Sequence, residues 1–421
     1  TPAVAPPSAC APAPQRGPRA APAVDPAAAA ALAWMGGGRH CQDSAPSRAP
    51  ALGLPPCLFS RAVAPFLRFG APLPNQLYAL GGRNQQQDPL DTVDMFDTWH
   101  GQWVTCPSML TRRAGCAAAV LPDGRLLVTG GYDQQGIVEG LLCSCEVFDP
   151  ASQVWSKSPA SLQRARWGHG CAVLGDRVYA VGGCSLRPGA QAHEAFMETL
   201  SCCEVLDPAV GSWCAGPSMH EARAGARVVT LGDRYLAAVG GCNDVFGRAE
   251  ILPTIELFDS QSGAWQMLEP QLTTPRTTAA VAALDDDSIL ITGGAPSLSS
   301  VEVYRLPRSF EGEGSSQMVV DQDKRARVSS IAEGRMGCQA ASLRLPGPGA
   351  AFPRCERQCV VVVGGESGED SGESEARQLS SVLVYDAKTD EWWPQDAFPP
   401  MPTPRTAMAL VVGPGKVVGC P

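Results

Sequence analysis

Residues 126–131 of this chain read Leu-Leu-Val-Thr-Gly-Gly, a short apolar run closed by a glycine doublet. The same arrangement occurs six times, at intervals of about fifty to seventy residues. Internal repeats of this length indicate a repeat architecture, in which each repeat forms one supersecondary unit. The six doublets are Gly81-Gly82, Gly130-Gly131, Gly182-Gly183, Gly240-Gly241, Gly293-Gly294 and Gly364-Gly365. The repeat therefore decides the fold class before any single residue does.

Each repeat has the pattern of four short strands. The apolar run before the doublet is preceded by a second one, and a tight polar turn such as Asp123-Gly124 separates them. A third run follows a variable loop, and a fourth contains a tryptophan. The tryptophans are Trp103, Trp155, Trp213, Trp265 and Trp392. Four narrow strands cannot bury their own faces, and radial stacking of such units leaves few exposed edges.

These features resemble the kelch-repeat β-propeller family, and the resemblance covers about residues 75–418. Turns such as Pro217-Ser218-Met219, with Arg223 four residues later, are a further marker of that family. The resemblance implies an all-β, kelch-type β-propeller with six blades of four antiparallel strands. Seven blades is the alternative. Six is favoured because residues 59–74 offer a poor first strand, so that a C-terminal strand would complete the first blade.

The repeats divide the chain into two parts. Residues 1–60 are rich in Ala and Pro and have no period, so we expect them to be disordered. Residues 61–421 are predicted to form the propeller, with repeats near 75–109, 114–162, 168–219, 224–272, 277–327 and 335–401 and a partial repeat at 405–421. The fifth repeat lacks its tryptophan, and residues 317–320 are the candidate for its fourth strand. The sixth carries insertions at 344–357 and 366–378.

The repeated markers have a structural interpretation. A glycine doublet at the end of the second strand permits close backbone approach or a turn conformation that a Cβ atom would forbid. Each tryptophan buries a large apolar area, and we expect it to wedge between adjacent blades with its indole N–H on an acceptor. The doublets and the tryptophans are therefore predicted to hold the blades together rather than to bind a ligand.

Composition excludes several classes of function. The net charge of −9, with no run of Lys and Arg, argues against nucleic acid as a partner. No stretch approaches about eighteen uninterrupted apolar residues, so no membrane span is predicted. The 17 cysteines are odd in number and match no zinc spacing. We expect free thiols in a reducing, cytoplasmic setting, with no metal and no cofactor. Cys355 and Cys359, beside Arg354 and Arg357, are candidates for redox-sensing thiols.

One arginine per repeat lies just before the first strand. Because the first two strands form a hairpin, this position and the loop after the glycine doublet lie on the same face of a propeller. The candidate partner-binding residues are Arg112, Arg113, Arg166, Arg223, Arg276, Arg335 and Arg405. A ring of guanidinium groups suits carboxylates or phosphates. The alternative is structural: the same arginines would bond carbonyls and carboxylates between blades.

The function predicted from these features is protein–protein interaction. The kelch resemblance implies a scaffold or a ubiquitin-ligase substrate adaptor that binds a protein, which could be an acidic peptide or a ligase component, through the arginine-lined face. The alternative is a kelch-type enzyme such as a sugar epimerase or oxidase. Oxidase chemistry needs His and Tyr ligands to copper, and His169 is the one candidate for half of an acid–base pair.

Overall fold

The computed structural model describes residues 76–98, 100–189, 197–207, 210–245, 250–295, 297–306, 328–346, 357–368 and 376–414. All of them belong to one compact unit, Pro74–Pro421. The expected disorder of residues 1–60, the candidate strand at 317–320 and most of the two insertions in the sixth repeat lie outside the described residues. No helix in these ranges is long and apolar enough to cross a bilayer.

The strands form six antiparallel sheets arranged as blades. Blades 1 to 3 contain β1 (Gln76–Leu80), β2 (Val93–Asp97), β3 (Gln102–Cys106); β4 (Ala117–Val120), β5 (Leu126–Thr129), the short helix α1 (Gly136–Glu139), β6 (Cys145–Asp149), β7 (Val154–Lys157); and β8 (Gly170–Leu174), β9 (Arg177–Val181), the hairpin β10 (Cys184–Leu186) and β11 (Met197–Thr199), β12 (Cys203–Asp207), β13 (Ser212–Ala215). Blades 4 to 6 contain β14 (Arg227–Leu231), β15 (Tyr235–Val239), β16 (Ile255–Asp259), β17 (Ala264–Met267); β18 (Ala280–Ala283), β19 (Ser288–Thr292), β20 (Val301–Arg305); and β21 (Gln339–Leu345), β22 (Arg357–Val363), the hairpin β23 (Glu366–Ser367) and β24 (Arg377–Gln378), β25 (Val382–Asp386), β26 (Glu391–Trp392).

The last strand, β27 (Ala409–Gly413), closes the molecule. It pairs antiparallel with β1, with Leu77 opposite Val412, and so forms the inner strand of blade 1 in the order β27-β1-β2-β3. The prediction of six blades completed by a C-terminal strand is confirmed. Blade 5 has three strands among the described residues, whereas the other five sheets have four.

Apolar side chains fill the spaces between neighbouring blades. One cluster joins Tyr78 and Val411 of blade 1 to Leu126 and Phe148 of blade 2, and five comparable clusters occupy the other blade interfaces. Burial between blades explains why the predicted strands alternate less strictly than strands with one solvated face: both faces of each blade lie against a neighbour.

The tryptophans lie at these interfaces, as their structural interpretation predicts. Trp265 is 5% exposed, its ring centroid lies 5.4 Å from that of Phe258, and its indole N–H donates to the carbonyl of Pro217 in the loop from the preceding blade, at 3.0 Å. Trp103, Trp155 and Trp392 donate in the same way to Pro399, Pro107 and Ser329. Trp213 is buried against residues of blade 2. Four of the five indoles therefore tie a fourth strand to the preceding blade by a hydrogen bond, whereas the N–H of Trp213 has no acceptor among the described residues and this side chain acts by packing.

The glycine doublets allow the blade interfaces to close. All twelve glycines of the doublets have positive φ. At Gly240, with φ of 60°, an ideal Cβ atom would lie 2.2 Å from the carbonyl oxygen of Arg276. Any L side chain at this position would therefore displace the backbone of the next blade.

A closed ring of backbone hydrogen bonds surrounds the axis, and we call it the axial ring. Each N–H donates to the carbonyl of the equivalent residue in the neighbouring blade, at 2.8–3.1 Å. The members of the axial ring are Gly115, Gly168, Gly225, Thr278, Gly337 and Ala407. All six have positive φ, including the two non-glycine members, Thr278 at 53° and Ala407 at 50°. The blades are therefore linked at the axis by the main chain as well as by side-chain packing.

Candidate partner-binding face

One face of the propeller carries the longer loops, and we call it the loop face. It consists of the described parts of 81–92, 107–116, 130–144, 158–169, 182–202, 216–226, 240–254, 268–279, 293–300, 329–338, 364–381 and 393–408. Because consecutive strands of a blade are antiparallel, the loops between second and third strands and the loops between blades share this face. The short hairpin turns lie on the opposite face. The loop face therefore carries most of the variation in length between repeats.

Six of the seven arginines predicted to bind a partner are not available on this face. Arg113, Arg166, Arg223, Arg276, Arg335 and Arg405 are each 0–1% exposed and are the largest fully buried side chains of the described chain. The expected ring of open guanidinium groups is therefore corrected: the six side chains point into the blades. Arg112 differs, since its side chain is 50% exposed and its guanidinium lies 3.9 Å from the carboxylate of Asp91.

Each buried guanidinium bonds to the blade that it precedes. Arg113 donates to the carbonyl of Gly130, the first glycine of the doublet, at 2.8 Å, and to the carboxylate of Glu146 on the third strand, at 2.9 Å. Five of the six arginines have such an acidic partner. The pairs are Arg113–Glu146, Arg166–Glu204, Arg223–Glu256, Arg276–Glu302 and Arg405–Asp94. The guanidinium groups thus bond carbonyls and carboxylates, as the structural alternative predicts, but within the blade that each arginine precedes rather than between blades.

The glutamates of these pairs also fix the loops. Glu146 accepts the backbone N–H of Leu110 at 2.7 Å, and Glu256 accepts the backbone N–H groups of His220 and Glu221 at 2.7 and 3.0 Å. The pKa of Glu256 is held below its usual range: burial raises it, but the hydrogen bonds from His220 and Glu221 and the charge of Arg223 together lower it further. Each network is therefore a rigid base beneath a variable loop.

Arg335 is the exception among the six. The third strand of its blade carries Leu383 where the other blades carry Asp or Glu, and the guanidinium donates to the carbonyl of Gly364 and the hydroxyl of Ser381, both at 3.2 Å. Its Nε has no hydrogen-bond partner among the described residues. Burial lowers the pKa of Arg335, because the charged form loses solvation.

The side chains that do reach solvent on the loop face are of mixed chemistry. The fractional exposures are 54% for Leu110, 41% for Val138, and 50%, 64% and 58% for the side chains of Arg112, Arg377 and His220. Leu110 and Arg112 lie in the loop that enters blade 2, and Val138 lies in α1 of the same blade. Apolar and cationic groups are therefore available together beside blade 2.

The candidates for chemistry are buried. His169 is 2% exposed, its Nε2 lies 2.8 Å from the hydroxyl of Thr129, and burial lowers its pKa to about 3. An imidazole that stays neutral and packed between blades is not placed as an acid–base group in an open channel.

The candidate redox-sensing thiols are not exposed among the described residues. Cys359 is fully buried in β22, so the prediction of an exposed redox-sensing loop fails for it, and Cys355 lies outside the described residues. Ten of the described cysteines, Cys116 and Cys338 among them, are free thiols. No group of three His, Cys, Asp or Glu side chains able to hold a metal occurs in the described ranges.

Two features of the site were missed from the sequence, although a signal was present for each. The acidic partners recur at one position of the third strand in five repeats, in register with the arginines, so a pairing could have been inferred. Arg227 is a charged residue inside an inner strand, where the other repeats carry Ala, Gly or Gln. The contacts of Arg227 lie on other blades across the axis, so they cannot be predicted from the sequence of one repeat.

Comparisons with known proteins agree with this geometry. Residues 71–294, more than half of the chain, match the family model described as KLHDC2/KLHL20/DRC7 Kelch-repeats domain. Kelch-like protein 26 of Danio rerio is 27% identical over 270 residues, which is 59% of this chain and 42% of that protein. An F-box/kelch-repeat protein of Arabidopsis thaliana is 30% identical over 148 residues, 35% of each. The chain thus spans less than half of these relatives. The solved structure of YjhT matches in fold, with a TM-score of 0.53 and 15% identity, over 77% of this chain and 97% of YjhT.

Proposed function

Since this chain belongs to the kelch-repeat family, we propose that its propeller is a protein-binding module that holds a partner on the loop face. The observation that carries the proposal is that the repeats share a buried network but differ in their exposed loops. A buried arginine–carboxylate network recurs in five of the six blades, whereas the loops above it differ in length and expose different side chains. Loops on a rigid scaffold are where binding specificity resides.

The relatives favour an adaptor as the form of this role. Their names include kelch-like and F-box/kelch-repeat proteins. In an adaptor, the loop face would hold a substrate protein and another part of the assembly would hold a ubiquitin-ligase component. A scaffold is the runner-up. Free thiols such as those of Cys116 and Cys338 support a cytoplasmic location.

The binding of an acidic peptide through a ring of arginines is not retained, because six of those guanidinium groups are buried. The proposed contact region is instead the mixed surface beside blade 2, formed by Leu110, Arg112 and Val138. Arginine is enriched among the anchors of protein interfaces, and the exposed Leu and Val side chains of the same blade add apolar surface that a partner can bury.

A pull-down with mass spectrometry tests this proposal. The first variant carries Leu110→Glu and Val138→Glu on the loop face. The matched control carries Val154→Glu and Val210→Glu at the opposite face, where Val154 begins β7 and is 57% exposed and Val210 lies in a turn and is 72% exposed. All four sites are exposed, so both variants should fold, and circular dichroism verifies this.

We expect partners captured by the wild type to be lost from the loop-face variant and kept by the control. Loss from the control alone would move the interface to the opposite face. An unchanged set of partners in both variants would contradict a contact region beside blade 2.

A further inference from the structure

The six inner strands surround an axial channel that widens into a cavity of about 400 Å³. Each blade contributes to its wall, through residues that include Ala118, Cys171, Val229, Ala282, Ala341 and Val411. The hydroxyls of Thr230 and Ser342 in the wall donate to the carbonyls of Val173 and Ala283 in other blades. Most side chains that the cavity presents to a ligand are therefore small and apolar.

Arg227 lies between this cavity and the loop face, at the first position of β14. Its side chain reaches across the axis to two other blades. The Nε–H of Arg227 donates to the carbonyl of Ala279 at 2.9 Å, and its Nη2 donates to the carbonyl of Cys338 at 3.2 Å. The Nη1 of Arg227 has no hydrogen-bond partner among the described residues. The guanidinium is thus held at the axis with part of its donor edge unused.

The charge of Arg227 has no carboxylate partner in the described part of the chain, unlike five of the six buried arginines near the blade entrances. The thiol of Cys338 interacts electrostatically with Arg227, and burial raises the pKa of this thiol, so that it is neutral at pH 7. Burial lowers the pKa of Arg227 to about 10, which leaves it protonated at neutral pH. A partly buried cation without a counter-ion favours a bound anion.

The residues at the level of Arg227 on the other inner strands are mostly small. At the same level, four inner strands carry alanine or glycine: Ala117, Gly170, Ala280 and Ala409. The remaining blade carries Gln339, whose amide N–H donates to the carbonyl of Met408 at 2.7 Å. The two carbonyls that Arg227 contacts already accept its Nε and Nη2 donors, and its Nη1 donors remain unused.

We propose that the channel binds a small aliphatic monocarboxylate, with its carboxylate on Arg227 and its hydrocarbon part in the cavity. A guanidinium edge matches the two oxygens of a carboxylate, and the alanine and valine side chains beyond it suit a short alkyl chain. The site lies inside the ring of blades, so it is separate from the loop-face contact region and does not depend on it.

Calorimetric titration with sodium butyrate tests the proposal, at constant ionic strength against sodium chloride, with n-butanol as the uncharged analogue. We expect saturable butyrate binding to the wild type, and affinity at least tenfold weaker for Arg227→Gln, which keeps N–H donors but removes the charge. Arg227→Lys should retain binding. Arg234→Gln, which removes a cation bonded to Asp259 on the opposite face, should match the wild type.

If Arg227→Gln does not fold, Ala341→Leu provides a second test, because it fills the cavity and leaves the guanidinium in place. Butyrate affinity should then fall while the response to chloride stays unchanged. Equal affinity for butyrate in the wild type and Arg227→Gln would overturn the proposal. Chloride and butyrate binding equally well to the wild type would overturn the role of the apolar cavity.

Discussion

At the scale of single residues, the contribution of each buried arginine to stability depends on the side chain that its guanidinium faces. Arg113 and Arg335 occupy equivalent positions, and both are buried, but the first faces Glu146 and the second faces Leu383. Removal of one partner of a buried ion pair leaves an uncompensated charge, whereas removal of an unpaired cation does not.

We therefore expect Arg113→Met to lower the free energy of unfolding by about 3–5 kcal/mol, because Glu146 would remain buried without its cation. Arg335→Met should lower the free energy of unfolding by less than about 1 kcal/mol or raise it, because no buried carboxylate loses its partner. Urea unfolding of the two variants measures the difference. Losses of equal size would show that the acidic partner is not the deciding factor.

Backbone conformation at the axial ring gives a second prediction at this scale. Ala407 holds a φ of 50°, which costs an L residue about 1–2 kcal/mol relative to the right-handed region. Ala407→Gly removes that cost but adds backbone entropy to the unfolded chain, so we expect a net gain of about 0.5–1 kcal/mol. Gly225→Ala, at the equivalent site of blade 4, should destabilise the protein. A lower melting temperature for Ala407→Gly would contradict this account.

At the scale of the element, the fourth strands are held to the preceding blade by their tryptophans. Trp265→Ala should cost about 3–5 kcal/mol, since it removes a buried indole and leaves the carbonyl of Pro217 without its donor. Trp265→Phe should recover much of the packing but not the hydrogen bond. Thermal unfolding distinguishes the two, and equal melting temperatures for all three proteins would place the indole outside the blade interface.

The elements were predictable because each repeat imposes its own local requirements. A residue such as Gly240 is needed wherever a second strand meets the next blade, and a residue such as Trp265 is needed wherever a fourth strand must be covered, so both recur in phase. The burial of Arg113 was not predictable from its own repeat position, because it depends on Glu146 and Gly130, which the fold brings to it. Arg227 was missed because its partners lie on two other blades.

At the scale of the whole molecule, the two ends of the propeller are joined by β27 and by the axial ring. Deletion of residues 405–421 removes β27 and Ala407, which opens two of the backbone hydrogen bonds of the ring and exposes the edge of β1. We expect the shortened chain to lose cooperative unfolding and to bind a hydrophobic dye. Deletion of 415–421, which keeps β27 and Ala407, is the control.

The pairing of β27 with β1 also sets the order of events during synthesis. The ribosome releases β1 first among the described strands and β27 last, so every intermediate nascent chain has a first blade without its inner strand. Blades 2 to 6 can form as they emerge, whereas blade 1 keeps an apolar face and an unpaired edge until β27 is released. The protein is therefore expected to depend on chaperones during translation, and a stop codon anywhere before β27 is complete should yield a product marked for degradation rather than a smaller propeller.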